Sequence, residues 1–238
     1  MTPAEFTRRY ISYFGAAAPL PLAVLYSDAQ LGGVQSVPGC MFKQLHRATC
    51  GETVTLHASD NSCRGGKFYT GLAGIPEYVY EFVSNNEKYK STPEVARHSI
   101  DSFNVEDSEA PYLNFVRVDC LESFDSIEGV IFLVNPDVLS GLFSWANYDC
   151  PYINAVLSPW GSGCSTTVTS LVNENRKGGK HCFIGMLDVS ARPFFKPDVP
   201  SFSIPKLRLT EMLDTLSDCC VATAPAWQKV KKRINRPQ

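Results

Sequence analysis

The sequence predicts an α/β (or α+β) fold, a mixed sheet with flanking helices built from two weakly related β-α-β-α units. Three observations carry this. Short apolar runs at 20–26 and 129–134 have the length of buried strands. Helix-start signatures stand among them, at Thr2-Pro3-Ala4-Glu5, Ser91-Thr92-Pro93-Glu94 and Asn135-Pro136-Asp137. An order of apolar strand, helix, Cys, strand, Gly-rich turn with Cys, then helix recurs over 20–75 and 128–175.

Taken in order, the capping box at Thr2 with proline at the first helical position starts a helix that runs to Phe14. The run 20–26 is a buried strand, followed by a loop with Gly32, Gly33, Pro38 and Gly39. Apolar positions over 41–48 have helical spacing, and the β-branched stretch 53–58 reads as a strand. Residues 60–66 form a turn and a helix begins at Lys67. The middle is mainly helical, over 76–83 and then from the second capping box to Phe103. Strands follow at 112–118 and 129–134, and the Asn135 start opens a helix to Asn147. A strand at 152–157, a turn at 159–164 and a helix over 165–172 come next. The remainder reads as strands at 181–187 and 202–204 and helices at 206–217 and 225–235.

The chain has 238 residues, 44% hydrophobic and 19% charged, which suits one domain over 1–238 with a full core. With 22 basic and 24 acidic residues the net charge is −2, so no overall basic field would hold nucleic acid. The most apolar stretch, 16–26, is short and broken by Pro19 and Pro21, so no membrane span is expected. Nine cysteines, an odd number spread through a chain with its own core, point to a reducing cytoplasm and free or metal-bound thiols.

Function turns on the cysteines at the Gly-rich turns. In Cys63-Arg64-Gly65-Gly66 and Gly161-Ser162-Gly163-Cys164 the glycines let backbone approach a ligand, and a thiol at a helix start is eased toward thiolate. Arg64 and Lys67 push Cys63 the same way. Cys50 and Cys150 flank strands and read as structural, as do Cys182, Cys219 and Cys220. Tyr78, Tyr80 and Phe82 read as packing residues, and the basic tail from Lys229 as a solvated helix end.

These residues resemble the bacterial and archaeal family known as domain of unknown function 169. The likeness rests on Cys40 before a helix, Gly51-Glu52, Cys63-Arg64-Gly65-Gly66 and Gly71-Leu72. In the second half it rests on the strand at 129–134 with Asn135-Pro136-Asp137, the Ser162-Gly163-Cys164 turn, the segment 185–192 and Ile204-Pro205. It covers about Pro21 to Met212. The resemblance implies Cys40, Cys63 and Cys164 as family-type cysteines, and matches Asp188, Ser190 and Arg192; Leu187 stands where some members carry Cys. The family has no established activity, so the resemblance implies a fold and a set of residues.

Three function classes follow. Thiolates from three segments suit an iron–sulfur cluster or other soft metal, with Cys40, Cys63 and Cys164 as ligands and His46, His57, Asp188 or an exogenous molecule in a fourth position. Alternatively, Gly65, Gly66, Gly161, Gly163 and Arg192 hold a small anionic ligand at helix N-termini. In a thiol enzyme, Cys63 is the nucleophile, with a His as base and Arg192 as anion clamp. A homodimer is compatible with each. The P-loop, the dinucleotide fingerprint, His-Glu-x-x-His and Gly-x-Ser-x-Gly are absent.

Overall fold

The structure, a computed structural model, describes residues 1–32, 39–59 and 63–236; Gly33, Pro38 and the expected turn residues Asp60, Asn61 and Ser62 lie outside the described residues. Strands β1 (Leu22–Ser27), β2 (Val54–His57), β3 (Tyr112–Arg117), β4 (Gly129–Leu133), β5 (Val156–Leu157), β6 (Cys182–Gly185) and β7 (Ser201–Pro205) form one sheet. Its order is β2-β3-β1-β4-β7-β6-β5, and every pairing is antiparallel except that of β5 with β6. Helices cover both faces, so successive strand residues alternate between two cores. Leu22 and Val24 join one core, Ala23 and Leu25 the other; Ile131 and Leu133 against Val130 and Phe132 repeat the pattern.

The helices are α1 (Pro3–Phe14), α2 (Met41–Thr49), α3 (Arg64–Tyr69), α4 (Tyr78–Glu81), α5 (Pro93–Asp101), α6 (Pro136–Ala146), α7 (Ser170–Arg176), α8 (Lys206–Thr215), α9 (Cys220–Thr223) and α10 (Pro225–Ile234). The first core takes α1, α6, α8, α9 and α10 through residues such as Phe14, Trp145, Met212 and Trp227. The second takes α2 and α7 through Met41, Leu45, Leu171 and Val172. The three sequence-marked starts are capped as expected: Thr2 accepts from the Glu5 N–H at 3.2 Å, Thr92 from Val95 at 3.3 Å and Asn135 from Val138 at 3.0 Å. The termini are clasped together. Trp227 packs edge-on to Phe14 at 5.1 Å and donates to the Tyr13 carbonyl, while Asn235 bonds the Phe14 carbonyl and the Ala17 N–H. No helix among the described residues is long and apolar enough to cross a membrane.

Several elements differ from the sequence expectation. The strand at 152–157 shrinks to Val156–Leu157, because Tyr152 and Ile153 face solvent and β5, at the edge, pairs with β6 alone. The helix expected from Lys67 begins at Arg64, because Cys63 serves as its N-cap. The helix expected over 165–172 opens as a π-helical turn (Ser165–Thr169) before α7. There Thr167 and Ser170 hydroxyls bond the Gly163 and Ser165 carbonyls at 2.7 and 3.0 Å, serving backbone groups that a wider turn leaves poorly paired. The segment 76–83 divides likewise into α4 and a second π-helical turn, Phe82–Asn86. The element order expected of the two units is present, as β1-α2-β2-α3 and as β4-α6-β5 with the Ser165–Thr169 turn and α7, with α2 packing in the second core and α6 in the first.

Candidate thiol site in an apolar cavity

Each of the three family-type cysteines stands at a helix start. Cys40 is the residue before α2, Cys63 the residue before α3, and Cys164 the residue before the Ser165–Thr169 turn. The fold brings all three to the wall of one cavity of about 500 Å³, together with Gly65, Gly66, Gly161 and Gly163. Two of these glycines are fixed by packing. A Cβ on Gly163 would lie 2.5 Å from the Phe42 ring, and one on Gly161 would lie 2.4 Å from Phe103. The turn carrying Cys164 therefore reaches the cavity only because side chains are missing there.

Cys40 and Cys63 share a side-chain hydrogen bond, with the Cys40 S–H donating to the Cys63 sulfur. That bond is the largest cause lowering the Cys63 pKa to about 6; burial opposes it, and the Gly66 and Gly65 N–H groups and Lys67 assist. The Gly66 N–H donates to Cys63 Sγ at 3.3 Å. The same bond, then burial, pushes the Cys40 thiol up, and burial pushes Cys164 up, with the Cys63 charge adding to it. The arrangement is one thiolate and two neutral thiols. All nine cysteines are free of disulfides. Among the described residues, no group of three or more His, Cys, Asp or Glu side chains is arranged to hold a metal ion.

The rest of the cavity is largely aromatic and aliphatic, with Tyr69, Tyr78, Phe82, Ile100 and Trp160 in its wall. Tyr78 and Phe82, read from sequence as packing residues, stand exposed on this wall, while Tyr80 between them is buried. Lys90 sits 3.7 Å from the centre of the Trp160 ring. Asp188 and Glu87 also line the cavity. Asp188 Oδ1 accepts from the Ser190 and Ala191 N–H groups at 3.0 and 3.2 Å, and its Oδ2 is buried with no hydrogen-bond partner among the described residues. Asp188 is matched by the family segment, whereas Glu87 and the aromatic wall come from helices and loops whose packing no local motif encodes.

Arg192 stands elsewhere. It does not line the cavity, and its guanidinium donates to the backbone carbonyls of Met186, Val199, Lys196 and Pro197 at 2.6–3.4 Å. It clamps the loop after β6 and has its donors committed there. His46 is exposed on α2, and His57 bonds Ser59 and packs on Tyr112; neither lines the cavity. Of the fourth-position groups expected from the chain, Asp188 shares the cavity with the thiols. Cys182 and Cys219 are core residues, Cys50 is exposed, and Cys150 lies in a separate polar cleft beside the ion-paired Arg208.

No curated protein and no solved structure matches this sequence. A family model described as uncharacterised ArCR does match, over residues 19–215 of the 238. That span contains every residue of the cavity named above, and the chain belongs to the family of domain of unknown function 169.

Proposed function

We propose that the protein binds a thiolate-ligated cofactor, an iron–sulfur cluster or another soft metal centre, through Cys40, Cys63 and Cys164. The observation that carries this is the convergence of three thiols, from positions 40, 63 and 164, on one cavity. Soft metals select thiolates, and Cys63 is already ionised near neutral pH. The arrangement favours a cluster over a single ion. Ligands of a cluster bind different irons, so they need not converge on one point, and among the described residues no three side chains are arranged around one ion. Ligation would replace the Cys40–Cys63 hydrogen bond with two sulfur–metal bonds. When bound, such a group supplies redox or Lewis-acid chemistry; the chain contributes the ligands, an apolar wall that limits water, and a cavity over the site for a second molecule.

Anaerobic purification followed by visible absorption and iron, sulfide and zinc analysis tests the reading. Stoichiometric metal is expected in the parent protein and is lost in Cys40→Ser, Cys63→Ser and Cys164→Ser but kept in Cys50→Ser. Metal content unchanged in the first three variants would overturn it.

The Cys40–Cys63 contact favours a second reading, a thiol enzyme with Cys63 as nucleophile. Cys40, rather than a His, is the group bonded to it. Metal-free protein with one fast-alkylating thiol, at Cys63, would select this reading.

A further inference from the structure

We infer that the cavity over the thiols takes a small organic cation: a molecule with an aromatic or apolar body and a protonated nitrogen, the nitrogen seated between Asp188 and Glu87. The volume of about 500 Å³ suits a small molecule. Phe42, Tyr69, Phe82, Ile100 and Trp160 give a wall that recognises a ring or hydrocarbon body. Phe82 and Trp160 are 42% and 52% exposed, a large apolar surface to leave in water without a partner.

The sign of the ligand's charge is set by the carboxyl end. Asp188 has one oxygen taken up by the Ser190 and Ala191 N–H groups and the other buried without a partner among the described residues. A buried acceptor left unpaired is costly, and a ligand N–H is the group that would satisfy it. Glu87 lines the same cavity, and among the described residues neither carboxylate has an ion-pair partner. The basic groups of the wall are held on aromatic rings, Lys90 over Trp160 and Arg64 over Tyr78. Arg192, the group that would have favoured an anion, is spent on carbonyls outside the cavity. Two carboxylates thus face a cavity whose lysine and arginine lie on its aromatic wall, and an anionic ligand would meet repulsion at the carboxyl end.

The inference rests on the carboxyl end and stands apart from the cofactor reading. Three probes of one ring system separate charge from shape: tryptamine as cation, indole-3-propionate as anion and 3-methylindole as neutral body. Calorimetric titration of the full-length protein at neutral pH is expected to give tryptamine a Kd at least about tenfold lower than that of indole-3-propionate, the scale of one charge-assisted hydrogen bond. Asp188→Asn, which keeps an oxygen for the Ser190 and Ala191 N–H groups, should remove most of that preference and leave 3-methylindole binding unchanged. Glu87→Gln should reduce it by a smaller factor. Equal or tighter binding of the anion, no binding of any probe, or an undiminished preference in both variants would overturn the inference. Metal analysis of the wild-type and Glu87→Gln samples reports the cofactor reading independently, because neither lacks a thiol or Asp188.

Discussion

Removing the Cys40 sulfur should reset the chemistry of Cys63. In the metal-free protein the Cys63 pKa is about 6, and its largest cause is the hydrogen bond donated by Cys40. A thiol with that value is about 90% thiolate at pH 7, against about 1% for one at the ordinary value near 9. Cys40→Ala deletes the donor. The Gly65 and Gly66 N–H groups and Lys67 are then left to work against burial, so the midpoint moves up toward the ordinary value. Alkylation at pH 7 follows the thiolate fraction, so its rate at Cys63 should fall about tenfold or more. The assay is iodoacetamide labelling of chelator-treated protein from pH 5 to 9, with the Cys63 peptide followed by mass spectrometry. Cys120 serves as comparator, since partial burial and the Asp119 carboxylate push its thiol up. A wild-type midpoint in the ordinary thiol range would refute the reasoning, as would a midpoint that stays near 6 in Cys40→Ala.

Three further outcomes are expected. Gly163→Ala places a methyl 2.5 Å from the Phe42 ring and 2.8 Å from Ala191 Cβ, which should cost about 1–3 kcal/mol in thermal unfolding, whereas Gly65→Ala meets nothing within 4 Å and should be tolerated. Arg192→Ala leaves four backbone carbonyls without their donor and should lower the urea midpoint by the equivalent of about 1–3 kcal/mol, with probe binding in the cavity retained. The stability difference between wild type and Cys63→Ser should grow as pH rises from about 6 to 9 and level off below 6. In that window the unfolded thiol holds a proton that the folded thiolate has given up, so raising the pH favours the folded state. Urea midpoints of both proteins at three pH values read the slope, and a flat or inverted difference would contradict the sign.

The sequence made much of this legible where a local signal does the work. Thr2, Thr92 and Asn135 cap the helices their spacing announces, because a cap needs only its own next three residues. Cys63 and Cys164 stood out because glycines and helix starts surround them, Cys40 through the family resemblance, and the three do share a cavity. What was not legible depends on distant contacts. The order β2-β3-β1-β4-β7-β6-β5 places β3 between β1 and β2, and no motif states that partnership. Arg192 looked like an anion clamp because a lone Arg beside Asp and Ser has that chemistry, yet its carbonyl partners lie on its own loop, Met186 before it and Lys196, Pro197 and Val199 after it. Tyr78 and Phe82 read as core or interface packing, and no local signal says that they stand exposed on the wall of a cavity.

The clasp between the chain's ends bears on synthesis. Phe14 and Asn235 are 221 residues apart, yet the last turn of α1 bonds to Asn235 and packs on Trp227. A ribosome adding roughly 5–20 residues per second needs roughly 10–45 s to cover that distance. Throughout that interval the apolar stripe of α1, with Phe6, Tyr10 and Phe14, lacks its final cover. The emerging chain therefore presents a hydrophobic helix whose last cover is a segment made more than 200 residues later, so long-range rather than local folding completes its burial.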